Sequence, residues 1–267
     1  MAQDPRKTVL ATLARASSIG IIRVHDAARA LGIPNRAAAI RLAQLAKRGW
    51  LTRVQRGLYL LVPIDAASAS DVAPEDPWVL GHSVFAPCYV AGWSAAEFWE
   101  LTEQLFRSTF IATATPIRRR DQIIAGSEFH VVRVKSDRLV DLAQVWRGRQ
   151  KMPVSDRERT IVDSARDPSW LGGVRHLSDV IRRYAQSEFA DADALAIQLQ
   201  RHGNGAAAKR IGYLVEVLWP TAEIVLRQAL ALRSAGVIKL DPAVREKGDL
   251  IKRWGLRVNA GVKESAD

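Results

Sequence analysis

The sequence is poor in the residues that metal and redox chemistry need. Its 267 residues include one cysteine, Cys88. A single thiol makes no intrachain disulfide, excludes a Cys-rich metal site and suits a reducing compartment. It stands in no nucleophile motif with His or Asp, so it reads as a small buried hydrophobe. The histidines, His25, His82, His130, His176 and His202, are scattered and show no zinc-ligand spacing. Neither glycine-rich nucleotide-binding fingerprint is present. No apolar run approaches the roughly 20 residues of a membrane span, and the N-terminus lacks the apolar stretch of a signal peptide. These absences lead us to expect a cytoplasmic protein with no cofactor, no metal, no membrane partner and no catalytic residues.

Acidic residues are also missing from one particular place. Residues 1–62 hold 11 Lys/Arg against only Asp4 and Asp26, a net +9, whereas the whole chain carries +11. A strongly basic head on a near-neutral body is the electrostatic footprint expected for a polyanion.

That head reads as three helices and a hairpin. The first helix runs from Pro5 to Ser17 with Asp4 as its cap and Val9, Leu10 and Leu13 on its apolar side. A short strand at Ile21-Ile22 follows. The second helix runs from His25 to Leu31 and ends at Gly32, before Pro34. The third runs from Arg36 to Arg48, capped by Asn35, with Ala38, Leu42, Leu45 and Ala46 on its packing face. Trp50-Leu51 and Leu58 to Val62 are strands joined by a basic tip. Residues 64–76, rich in proline and small residues, read as a linker. We therefore expect an α+β protein: a winged helix-turn-helix at 1–63 and a larger mixed α/β domain at 77–267. In the larger domain we expect helices at 78–85 and 94–102, strands at 88–90, 109–114 and 128–135, and mostly helix after Ser155. Leu177, Val180, Ile181 and Tyr184, and Ile211, Leu214, Val215 and Leu218, have helical spacing. Residues 221–233 are apolar on most sides and read as a buried helix.

A helix-turn-helix shows one face of its second helix to base edges. Here that face carries Arg36, Ile40, Gln44 and Lys47, with Asn35, Ala37, Arg41 and Arg48 beside it. Arg can bond guanine twice, and Asn or Gln adenine. Arg53 and Arg56, next to Gly57, suit phosphates or a minor groove, and Tyr59 is expected to be half buried with its hydroxyl on a phosphate. Solvated surface charge, RNA and protein are the other readings of this segment. Arg118-Arg119-Arg120 is either a solvated loop or a second basic patch for nucleic acid.

The body offers little for catalysis. Ser155-Asp156-Arg157-Glu158 fits a capping box, which makes Glu158 structural. Gly172-Gly173 before a helix reads as a plain turn, with an anion site as the alternative. A rival reading, a nucleic-acid-processing enzyme, requires Asp141, Glu158 and Asp163 to meet in a cleft. Another is a module that holds a protein toxin directly.

Over nearly its whole length the chain resembles AbiEi-type antitoxins of type IV toxin–antitoxin and phage-resistance systems. The resemblance rests on Gly49-Trp50-Leu51 with Arg56-Gly57-Leu58-Tyr59, on Tyr89 to Ala95, and on Val154 to Asp163 followed by Gly172-Gly173. It also rests on Lys209 to Leu214 and Trp254 to Asn259. It implies a repressor that binds double-stranded operator repeats of its own operon. It further implies an antitoxin that opposes a nucleotidyltransferase-like toxin without a tight complex, or a plain regulator where no toxin is encoded.

Overall fold

The computed structural model describes residues 5–17, 20–62 and 76–262. The expected cap Asp4 and nearly all of the expected linker lie outside them. In chain order the elements are α1 (Pro5–Ala16), β1 (Ile21–Arg23), α2 (Val24–Leu31), α3 (Asn35–Lys47), β2 (Leu51–Gln55), β3 (Leu58–Leu61), α4 (Pro77–Phe85), β4 (Cys88–Val90) and α5 (Gly92–Phe98). Then come β5 (Thr109–Thr113), β6 (Asp121–Ile124), β7 (Ser127–Arg133), β8 (Ala143–Arg147), β9 (Gln150–Val154), α6 (Arg157–Arg166), α7 (Val174–Gln186), α8 (Ala192–His202), α9 (Gly205–Leu218) and α10 (Glu223–Leu232). The last are β10 (Ile238–Lys239), β11 (Asp249–Ile251) and β12 (Leu256–Val258). The fold is mixed α+β.

The chain forms two compact units. One comprises Met1–Tyr89, Arg107–Leu139 and Gln144–Pro153; the other comprises Val90–Phe106, Val140–Ala143 and Val154–Asp267. The first unit holds the N-terminal module, whose arrangement is compatible with a winged helix-turn-helix. Its core gathers Leu13, Ile22, Ala27, Ala28, Ala38, Leu42, Leu45, Leu51 and Tyr59. The small alanines let α2 and α3 approach closely. Gly32, at φ 64°, ends α2 in the left-handed conformation that glycine adopts without a Cβ penalty. Asn35 is the first residue of α3 rather than its cap. Pro34 occupies the cap position, and no side chain caps that end. Proline's fixed φ suits the entry to a helix.

The first unit also holds most of a six-stranded sheet in the order β6-β7-β5-β4-β9-β8. β5 and β7 run parallel, from Thr109 opposite Phe129 to Thr113 opposite Arg133. β6 and β7 form a hairpin turned by Ala125 and Gly126, both at positive φ. β4 and β5 are buried throughout, whereas β6 and β8 are edges with exposed residues. β6, β8 and β9 were not anticipated. Gln150-Lys151-Met152-Pro153 is polar and contains a proline, so its period-two alternation is hard to recognise without the neighbouring strand.

The second unit is mainly helical. Leu177, Val180, Ile181 and Tyr184 face its core, as do Ile211, Leu214 and Val215, while Leu218 is half buried. α10 buries only Val225 and Ala229 fully, so the expectation of a helix buried on most sides is corrected: it packs one face on α8 and α9.

Two buried cations tie this unit together. Arg210 donates to the carbonyls of Leu240 (2.8 Å), Ala165 (2.9 Å), Arg166 (3.2 Å) and Lys239 (3.3 Å). Two of those oxygens end α6, where the helix dipole favours a cation. Lys209 Nζ donates to Gly236 O at 2.7 Å. Burial lowers the pKa of both side chains, and the carbonyl partners replace the water each has lost. One turn on, a Cβ at Gly212 would lie 2.1 Å from Trp254 Cζ3, and Trp254 Nε1 donates to Glu216 Oε2 at 2.6 Å. Asp241 Oδ2 accepts from Val174 N at 2.9 Å, and Asn259 Nδ2 donates to Asp241 O at 2.8 Å. Thus a carboxylate of the chain itself occupies the amide end of α7 after Gly172-Gly173.

Gly212→Ala should lower unfolding stability by about 1–3 kcal/mol through overpacking against Trp254. Urea titration of the full chain checks this. An unchanged midpoint would show that the contact is not tight.

Candidate nucleic-acid interface

The two faces of α3 separate cleanly. Ala38, Leu42 and Leu45 are buried, while Asn35, Arg36, Ala37, Ile40, Arg41, Gln44, Lys47 and Arg48 are exposed. Ile40 keeps 53% of its surface exposed, an unusual place for a branched apolar residue and one suited to a thymine methyl. The cations of this face form no ion pair with an acid among the described residues.

The β2–β3 hairpin supplies the second group. β3 is the middle strand of the small sheet, paired antiparallel with β1 and β2. The register shifts between Arg53 and Gln55, and this irregularity adds twist at the base of the tip. Arg53 and Arg56 are exposed there; Gly57 turns the chain at φ 79°, and its carbonyl accepts from Val24 N at 3.0 Å. Tyr59 is 4% exposed and belongs to the core, not half exposed as the sequence suggested. Its signal was the unbroken Leu58-Tyr59-Leu60 run, which a central strand buries on both faces. α3 and the hairpin meet at an open cleft of about 510 Å³, lined by Ala43, Ala46, Lys47, Leu51, Thr52, Arg53 and Tyr59. Lys47 and Arg53 therefore stand on the walls of one cleft.

Arg118, Arg119 and Arg120 lie exposed in the loop between β5 and β6, and none pairs with an acid among the described residues. The hairpin joining β8 and β9 adds Arg149 and Lys151, both exposed. The available signal for it was three cations around Trp146 with no intervening acid.

The candidate catalytic groups are engaged separately. Asp163 accepts from buried Arg159 at 2.9 Å. Glu158 accepts from the Tyr184 hydroxyl. Asp141 lies 3.3 Å from His202 Nε2. The expected capping box is corrected: Asp156, not Ser155, caps α6 by accepting from Arg159 N at 2.7 Å. Ser155 instead bonds the Thr160 hydroxyl at 2.8 Å. Burial pushes the Cys88 thiol up to about 12, so it holds its proton at neutral pH. Burial and the nearby Arg23 charge both lower the pKa of His82. No group of three or more His, Cys, Asp or Glu able to hold a metal occurs among the described residues. Among them, too, no helix is long and apolar enough to cross a membrane.

Comparison with known proteins adds two findings. The chain is similar to the RV2827C protein from Mycobacterium tuberculosis, with 19% identity, coverage of 94% of this chain and 89% of that one, and a TM-score of 0.62. At that identity the likeness speaks for the fold alone. No curated protein matches. Residues 9–62, which contain the two-helix turn and the hairpin, match the family of AbiEi antitoxin transcriptional regulators, the family that the sequence resembles.

Proposed function

We propose that the N-terminal module is a winged helix-turn-helix that binds double-stranded operator DNA and represses the chain's own operon. The observation that carries this reading is the division of α3 into a buried Ala38/Leu42/Leu45 face and an exposed face with Arg36, Arg41, Gln44 and Lys47. α3 is the recognition helix, with Arg41 and Gln44 at base edges. The β2–β3 hairpin is the wing, with Arg53 and Arg56 on backbone phosphates. The linker read from the sequence at 64–76 precedes a mixed α/β domain, 77–267, that acts as the antitoxin. That domain opposes a nucleotidyltransferase-like toxin in a phage-resistance system without a tight complex, in the cytoplasm. It is not an enzyme: Glu158 and Asp163 have structural partners, and the motifs at 154–163, 209–214 and 254–259 are packing and hydrogen-bonding pieces of one core.

Arg41→Ala should cost about 1–3 kcal/mol on the operator and much less on a scrambled duplex, as expected for a base contact. Arg56→Ala should weaken both duplexes alike, because a phosphate contact carries little sequence information. Fluorescence anisotropy on both duplexes separates the roles, and an equal loss for Arg41→Ala would remove it from the base-reading face.

The two activities should also separate in cells. With expression from an unrelated promoter, Arg36→Ala, Arg41→Ala and Arg56→Ala together should abolish repression yet leave protection from the toxin encoded beside this gene. Loss of protection by this variant at unchanged protein level would contradict the division of labour.

A further inference from the structure

We propose that the outer face of the β8–β9 hairpin is a platform for single-stranded nucleic acid, with Trp146 stacking on a base while Arg149 and Lys151 hold the backbone. Three observations lead to it. The first is charge. The unit containing the hairpin holds 21 Lys/Arg against nine Asp/Glu, and the other unit 18 against 19. The excess is not confined to residues 1–62: residues 76–89, 107–139 and 144–153 of that unit carry ten cations and four acids.

The second observation is how the hairpin divides its side chains. Facing inward, Met152 is 1% exposed, Arg147 lies 4.2 Å from the Trp78 ring and 3.8 Å from Asp76, and Gln150 bonds His82 at 3.2 Å. Facing outward, Trp146 is 65% exposed, and Lys151 Nζ stands 5.1 Å from its ring centroid. Gln144 is exposed on the same strand face, and Arg149 is exposed at the turn, after Gly148 at φ 56°. Alternation along both strands thus sends Arg147, Gln150 and Met152 inward and Trp146 and Lys151 outward, with Arg149 exposed at the turn between them.

The third is what surrounds the indole. Residues 143–154 contain no acid, and β8 is an edge of the sheet, so Trp146 rises from a polar, cationic border. The core of a protein-docking surface is depleted of charge, whereas Arg147, Arg149 and Lys151 flank this indole. A duplex keeps its base faces stacked and offers none to a protruding ring. An unpaired base has a free π-face, and its phosphates fit flanking cations. This site is separate from the proposed operator surface and does not rest on that reading.

The test uses the full chain carrying Arg36→Ala, Arg41→Ala and Arg56→Ala, so that operator binding does not mask it. Fluorescence anisotropy would follow labelled dT and rU oligonucleotides of about 15 nucleotides and a scrambled duplex of equal length. Binding of at least one oligonucleotide is expected, in preference to the duplex. Trp146→Ala should weaken it by roughly tenfold or more, and Trp146→Phe should retain most of it. Arg149→Gln with Lys151→Gln should flatten the log–log salt slope by about 0.7 per lost phosphate contact. Binding of dT alone or of rU alone identifies the strand as DNA or RNA, and both support the platform. No binding of either oligonucleotide would overturn it, as would affinity unchanged by Trp146→Ala or equal loss on the duplex. Trp146 is exposed, so a circular dichroism melt should be unaltered; the Phe variant provides a second reading if it is not.

Discussion

The close packing of α2 on α3 is the constraint on which the proposed function depends. Ala27, Ala28 and Ala38 sit at the contact, each too small to hold the helices apart. With Leu42 and Leu45 fixed inward, the 3.6-residue period leaves Arg36, Ile40, Arg41, Gln44 and Lys47 no position but the outside. The same core includes Leu51 and Tyr59, so the hairpin with Arg53 and Arg56 is anchored to the helices that it must work beside. A larger residue at Ala28 or Ala38 would move both cationic groups at once, although neither alanine faces solvent.

The second unit solves a different problem. Its strongest sequence motifs place polar groups in a core. Arg210 collects carbonyls from the end of α6 and from β10, Asp241 caps α7, and Trp254 fills the space left by the missing side chain of Gly212. Removing one such partner leaves buried groups unsatisfied, which costs more than the bond was worth. Motif strength at these positions therefore reports architecture.

Much of the N-terminal module was legible in the sequence. Gly32 and Pro34 punctuate the turn, helical spacing selects Leu42 and Leu45, and basic residues crowd a stretch almost free of acids. Asn35 as a cap and Tyr59 as half exposed were misread, the first because Pro34 already fixes the helix entry, the second because strand neighbours cannot be counted from one strand. The six-stranded sheet was only partly visible. β5 and β7 carry apolar runs, but β8 and β9 take their apolar side from only Ala143, Val145, Met152 and Val154. Their outer face, with Trp146 and Lys151, looks like a loop until the pairing is known.

The proposed function requires a polyanion to bind the exposed face of α3 and the adjoining hairpin. Its most direct test is operator affinity over a series of salt concentrations, for the intact chain and for the chain with Arg36→Ala, Arg41→Ala and Arg56→Ala. The intact chain should show a log–log slope that steepens by about 0.9 for each phosphate contact made, and the variant a flatter slope with much weaker binding. Equal affinity and equal slope for the two proteins would contradict it.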